Sequence, residues 1–163
     1  MTAYLPSPLS ERVDEVRTRW DPEMSRRIRP HITLIHDAAD CDDLRARLDL
    51  VVATCSPFAL RFTDARCWGT PQQGIYLEVE DVQRGIETIR RSLGVTDPPA
   101  MRYRPHVTLT HERTVTTQEA QDAWAQISGW TVDEVVTINS LAIIELDGFQ
   151  WRDVTTVELT TRD

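Results

Sequence analysis

The sequence predicts an α+β fold in which one unit is written twice. Three observations point there. An octet, RPHITLIH at residues 29–36, returns as RPHVTLTH at residues 104–111, identical at six of eight positions. Stretches with a helical period alternate along the chain with stretches of strand period. The resulting order is β-α-β-α-β followed by β-α-β-α-β-β, a mixed pattern of strands and helices. A repeat spaced by about half the chain implies two related lobes, not a solenoid of short units.

After an opening strand, Leu9, Val13, Val16 and Trp20 are spaced four, three and four apart, one face of a helix that Ser7 and Pro8 can start. The first octet follows as a strand. A second helix is expected over about 40–54, with Leu44, Leu48, Val51 and Val52 inward and Asp40, Asp42 and Asp43 at its positive end. Phe58, Leu60 and Phe62 alternate, as do Ile75, Leu77 and Val79, and the turn TPQQG at 70–74 joins the two runs as a hairpin. A third helix carries Val82, Ile86, Ile89 and Leu93 and stops at Gly94. A fourth opens with a capping box, Thr116-x-x-Glu119, and buries Ala120, Trp124 and Ile127. β-Branched residues crowd 132–146, and 151–160 alternates again. The chain reads as one domain over residues 1–163, with a first lobe at about 1–70 and a second at about 74–163.

Hydrophobic residues make up 40% of the 163, enough to build a core and to exclude disorder. The formal net charge is −8, from 18 Lys+Arg against 26 Asp+Glu, which argues against an extended nucleic-acid surface. A small nucleotide, or an RNA end held in a local basic pocket, remains compatible. Cys41, Cys55 and Cys67 are odd in number and form no C-x-x-C pair, so a reducing compartment fits best. The opening MTAYLPSPLSERVDEV lacks a basic region followed by an apolar run, and no stretch approaches ~18–20 consecutive apolar residues. A cytoplasmic monomer without membrane contact is therefore expected.

All four histidines of the chain lie in the two octets. In a strand, residues two apart share a face. His31 and Thr33 then point one way and Ile32 and Leu34 the other; His106 and Thr108 are likewise set against Val107 and Leu109. If the lobes pack about a pseudo-two-fold axis, two imidazoles and two hydroxyls meet across a cleft. Histidine titrates near neutral pH, so one ring can act as base and the other as acid. The hydroxyls can donate to the non-bridging oxygens of a phosphodiester, where charge accumulates. Either histidine alone reads as readily as a structural strand residue; the matched pair, with threonines in register, is what argues for chemistry.

The paired H-x-T-L motifs resemble those of the two-histidine (2H) phosphoesterase superfamily, in particular its bacterial 2′-5′ RNA ligase-like and cyclic phosphodiesterase branch. The resemblance implies a bilobal fold: two antiparallel sheets around a central cleft, with helices outside. It implies hydrolysis or formation of 2′,3′-cyclic or 2′-5′ phosphodiester bonds, with His31 and His106 catalytic and Thr33 and Thr108 on the phosphate. It also places His106 as base and His31 as acid in hydrolysis, an order the symmetric motifs do not decide. A ligase-like activity and a non-catalytic nucleotide binder are the alternatives.

Other residues carry weaker signals. Arg102 and Arg104 precede His106 by four and two residues, so an extended segment puts them on the histidine side as candidate phosphate contacts. Arg29 is the first-lobe counterpart of Arg104, and either arginine could instead anchor its strand through a salt bridge. Tyr76, Trp68 and Trp151 could stack on a base, Tyr76 first among them, although core packing is the commoner fate of such residues. His36 and His111 lie an odd number of residues from the paired histidines and are expected to face away from the cleft. Their H-x₄-H spacing fits a zinc pattern, but two strand residues on opposite faces cannot chelate one ion, so no metal and no cofactor is expected.

Overall fold

The computed structural model describes residues 1–36, 41–95, 97 and 103–161, with the side chains of residues 41–45 outside the description. Arg102, Asp40 and the side chains of Cys41, Asp42, Asp43 and Leu44 thus lie outside the described residues. The elements are β1 (Thr2–Tyr4), α1 (Leu9–Trp20), α2 (Pro22–Arg27), β2 (His31–Thr33), α3 (Cys41–Thr54), β3 (Phe58–Cys67), β4 (Ile75–Glu80), α4 (Gly85–Ser92), β5 (His106–Thr110), α5 (Thr117–Ile127), β6 (Thr131–Ile138), β7 (Ser140–Asp147) and β8 (Gln150–Glu158). This is the order read from the periodicity, except that α2 is added and the β-rich run at 132–146 is two strands, β6 and β7, broken at Asn139.

The strands form two four-stranded antiparallel sheets, ordered β2-β1-β7-β8 and β5-β4-β3-β6. Each octet strand is thus an edge strand, and β2 and β5 lie alongside one another. The sheets do not divide the chain at residues 70–74. β3 precedes that turn but pairs with β4 beyond it, because the turn at Pro71–Gln73 closes a hairpin and a hairpin keeps both strands in one sheet. β7 and β8 follow the second octet yet complete the first sheet, with Thr2 opposite Ala142.

Alternation supplies the core. Ala3, Ile32, Leu60, Phe62, Leu77, Val107, Leu109 and Leu141 are buried, as are Leu9 and Val13 of α1 and Ile86 and Ile89 of α4. Three helix details differ from the periodicity. Pro8, not Ser7, is the N-cap of α1, and the Ser7 hydroxyl bonds the Glu11 carboxylate instead. Helix α2 has no apolar stripe; it exists because Asp21 caps it, accepting from the Met24 N–H at 2.9 Å, with Pro22 at its first position. Helix α4 starts at Gly85, not Val82. The Asp81 carboxylate accepts from the N–H groups of Gly85 (2.8 Å) and Glu87 (2.9 Å), and Arg84 turns the chain with φ 55°. Val82 is left in the preceding turn, 50% exposed. No described helix is long and apolar enough to cross a membrane.

Gly85 sits where α4 crosses the Phe58 ring. A Cβ there would lie 2.1 Å from Phe58 Cγ, a core atom with nowhere to go. Gly85→Ala is expected to destabilise the fold by roughly 2 kcal/mol through overpacking. Urea unfolding checks this as a lowered midpoint at unchanged slope, partly restored by adding Phe58→Leu.

Candidate functional site

Strand β2 exposes His31 and Thr33 in part and buries Ile32; β5 does the same with His106 and Thr108 around Val107. The period-two reading of both motifs therefore holds. The histidines are held in the same way. His31 Nδ1 lies 2.9 Å from the Arg29 carbonyl oxygen, and His106 Nδ1 lies 2.8 Å from that of Arg104. A carbonyl can only accept, so each Nδ1 carries the proton and each Nε2 is left with its lone pair. Among the described residues nothing bonds either Nε2, and nothing bonds the hydroxyls of Thr33 or Thr108.

The surroundings of the rings depress their basicity. His31 is pushed down to about 4, first by burial and then by the positive charges of Arg17, His106 and His36, against a raising effect from the Arg29 carbonyl. His106 is lowered by burial and by His36, again opposed by its carbonyl bond. Each ring is therefore neutral at pH 7 when no anion is present. The two rings are near enough that a proton on His106 opposes one on His31.

Strand β2 ends at Thr33, so alternation does not extend to residue 36; His36 is exposed beyond the strand end, and its charge is felt at both paired rings. His111 is the first residue after β5 and shapes a loop. Its Nδ1 accepts from the Arg113 N–H at 3.1 Å, and its own N–H donates to Asp21 at 2.9 Å.

The arginines before the two motifs differ in their partners. Arg29 donates to Asp153 at 2.7 Å and stacks 3.8 Å over the Tyr4 ring, while the Tyr4 hydroxyl donates to the same carboxylate at 2.6 Å. The salt-bridge alternative for Arg29 is thus the one observed. Burial and Asp153 push the Tyr4 phenol up to about 12, so it stays neutral. Arg104 forms no ion pair among the described residues and lies beside the Tyr76 hydroxyl. Tyr76 itself is buried, stacked on Trp68 at 4.1 Å, and both rings meet the edge of His106, at 5.7 and 5.0 Å. It forms the wall behind His106. Tyr4 holds the corresponding place at His31, edge-on at 6.4 Å.

Two buried clusters, neither singled out by the sequence reading, fix the motif strands. Tyr103, just before β5, donates its hydroxyl to the Thr33 carbonyl at 2.8 Å. Arg90 of α4 stacks 3.9 Å over the Tyr103 ring and bonds the Leu34 carbonyl and the Asp97 carboxylate. The approach to β5 is thereby tied to the end of β2. At the far end of β5, the buried Asp21 accepts from the His111 N–H and, at 2.6 Å, from the Thr114 hydroxyl. Arg90 carried a readable signal, since it falls on the same helical face as Ile86, Ile89 and Leu93. A cation on an apolar stripe requires a buried partner.

Known proteins share this architecture. The fold matches LigT of E. coli complexed with 3′-AMP at a TM-score of 0.66 and 17% identity, covering 98% of this chain and 96% of that one. It also matches TT0787 of Thermus thermophilus at a TM-score of 0.63 and 15% identity, covering 97% and 95%. No curated protein sequence matches it. The sequence pattern of the 2′-5′ RNA ligase superfamily spans residues 5–149, and that span takes in both octets and every strand from β2 to β7. The chain belongs to the 2′-5′ RNA ligase superfamily, within the two-histidine phosphoesterases.

Proposed function

We propose that this protein hydrolyses 2′,3′-cyclic phosphates of nucleotides or RNA ends, with His31, His106, Thr33 and Thr108 as the reacting set. The observation that carries this reading is the matched fixation of two imidazoles on adjacent edge strands, each with Nδ1 occupied and Nε2 open. Water attacks phosphorus as one imidazole takes its proton, and a ribose oxygen leaves as the other imidazole supplies one. The threonine hydroxyls donate to the two non-bridging oxygens. Both proton transfers are thus met by side chains, and the step needs no Lewis acid. With His106 as base and His31 as acid, the family order, His31 must gain a proton that its buried setting disfavours. The negative charge of the bound phosphodiester provides for that.

The name of the matched family also favours ligation, in which the 5′-hydroxyl of a second strand attacks the 2′,3′-cyclic phosphate, the P–O3′ bond breaks and a 2′-5′ bond forms. It uses the same groups in the same roles, with the 5′-hydroxyl in the place of water and its proton passing to the base as the 3′-oxygen takes one from the acid. One assay separates the outcomes: the four 2′,3′-cyclic nucleoside monophosphates, and an RNA ending in a cyclic phosphate with and without a 5′-hydroxyl RNA, all with EDTA present. Turnover to a single phosphate isomer in EDTA is expected. Joined RNA without hydrolysis would make the protein a ligase, and failure of every substrate would overturn the reading.

A further inference from the structure

A cavity of about 230 Å³ opens on the His31 side of the cleft, lined in part by Tyr4, Arg26, Arg27, Arg29, Trp151 and Asp153. Three arginines in four residues, at the end of α2 and just beyond it, form one wall. The tip of the β7–β8 hairpin closes over them: Gln150 Nε2 donates to the Arg26 carbonyl at 3.4 Å, and Arg27 stacks 4.4 Å over the Phe149 ring. Tyr4 belongs to both places, lining the cavity and meeting the edge of His31. The cavity is therefore one side chain away from the proposed reacting phosphate.

Its charges are unequal in their freedom. Arg29 is matched by Asp153 and Arg27 by Glu23, at 2.7 and 2.5 Å. Arg26 is exposed and has no ion pair among the described residues. Beside it Trp151 is 40% exposed and Phe149 47%. In a chain of net charge −8, a guanidinium without an ion pair among the described residues, in one cavity with a part-exposed indole, is a local exception to the acidic average. A cation for phosphate with an aromatic face for a base is the combination that holds single-stranded nucleic acid.

Resting on the reaction proposed above, we infer that this cavity binds the RNA strand upstream of the terminal phosphate. Arg26 meets a backbone phosphate and Trp151 stacks on a base. The protein then prefers an RNA end over a free cyclic mononucleotide. A space of about 230 Å³ suits one nucleotide, consistent with a net charge that disfavours a long footprint.

The test uses the full chain and the double variant Arg26→Ala/Trp151→Ala, whose two sites are exposed, with circular dichroism to verify the fold. Binding is read by anisotropy of a 5′-fluorescein hexaribonucleotide carrying a 3′-phosphate. Turnover is read as the ratio of kcat/KM for the hexamer ending in a 2′,3′-cyclic phosphate to that for a cyclic mononucleotide. The double variant is expected to lose about tenfold or more in hexamer affinity and in that ratio. The slope of log affinity against log salt should become shallower by about 0.7, one single-strand phosphate contact. Equal hexamer binding by both proteins, no hexamer binding by the wild type, or turnover without hexamer preference would overturn the inference while leaving the cleft chemistry intact. Lost binding in the variant, with no turnover of either substrate by the wild type, would sustain the cavity and overturn the reaction.

Discussion

Replacing His31 or His106 by alanine is expected to lower kcat/KM on a 2′,3′-cyclic nucleotide by about 10²–10⁴-fold, with the double variant scarcely worse than either single one. The two rings act in one step, so removing one leaves the other without a matching transfer and the losses do not multiply. The fold should tolerate both changes. Neither ring holds β2 or β5 in place: that work falls to Tyr103 and Arg90 at one end and to Asp21 at the other. Unfolding midpoints of the single variants should therefore stay near wild type while turnover collapses. A structural role for the histidines would instead make activity fall in step with stability. Binding of a 3′-phosphate mononucleotide, followed by calorimetry, gives the second check. It should weaken far less than turnover, because the threonine hydroxyls proposed to hold the phosphate remain.

The geometry of the two motifs was legible in the sequence because it is local. Two copies of one octet, each with histidine and threonine two apart, specify a face, and a strand obeys that period with no help from the rest of the chain. What could not be read is what the strands lean on. Tyr103 reaches the Thr33 carbonyl across 70 positions, and no spacing rule encodes such a partner. How the strands divide between the two sheets could not be read for the same reason. The hairpin turn at 70–74 was correctly seen, but a turn that makes a hairpin cannot also be a boundary between sheets. The arginines show the limit most clearly. Arg29 and Arg104 stand in the same R-P-H context, yet Asp153 on β8 neutralises the first and no described carboxylate pairs with the second. Sequence symmetry therefore overstates the symmetry of the site. One side of the cleft holds a tyrosine, an ion pair and a cavity; the other holds stacked aromatics and an arginine beside the Tyr76 hydroxyl.

That asymmetry bears on acid stability. His31 titrates near 6.5 in an unfolded chain and at about 4 in the folded one, chiefly through burial. Between those values the unfolded chain holds a proton at this site that the folded chain does not, so stability rises with pH across the window. The contribution is complete above about pH 6.5 and is lost as pH falls toward 4, at a cost of roughly 3 kcal/mol. His106, shifted in the same direction, adds to it. Urea unfolding of wild type and His31→Asn at pH 7.5, 6, 5 and 4.5 measures the effect. Asparagine can still donate to the Arg29 carbonyl but does not titrate, so its stability should vary less with pH; equal slopes would remove His31 as the cause. A phosphate ligand should act in the opposite sense. If its charge returns the proton to an imidazole, as the acid role of His31 demands, binding takes up a proton and tightens as pH falls from 7.5 toward 5.5. Calorimetry in buffers of different ionisation heat counts that proton directly. Uptake that persists in His106→Ala and vanishes in His31→Asn would place it on His31, and the reverse pattern would exchange the acid and the base.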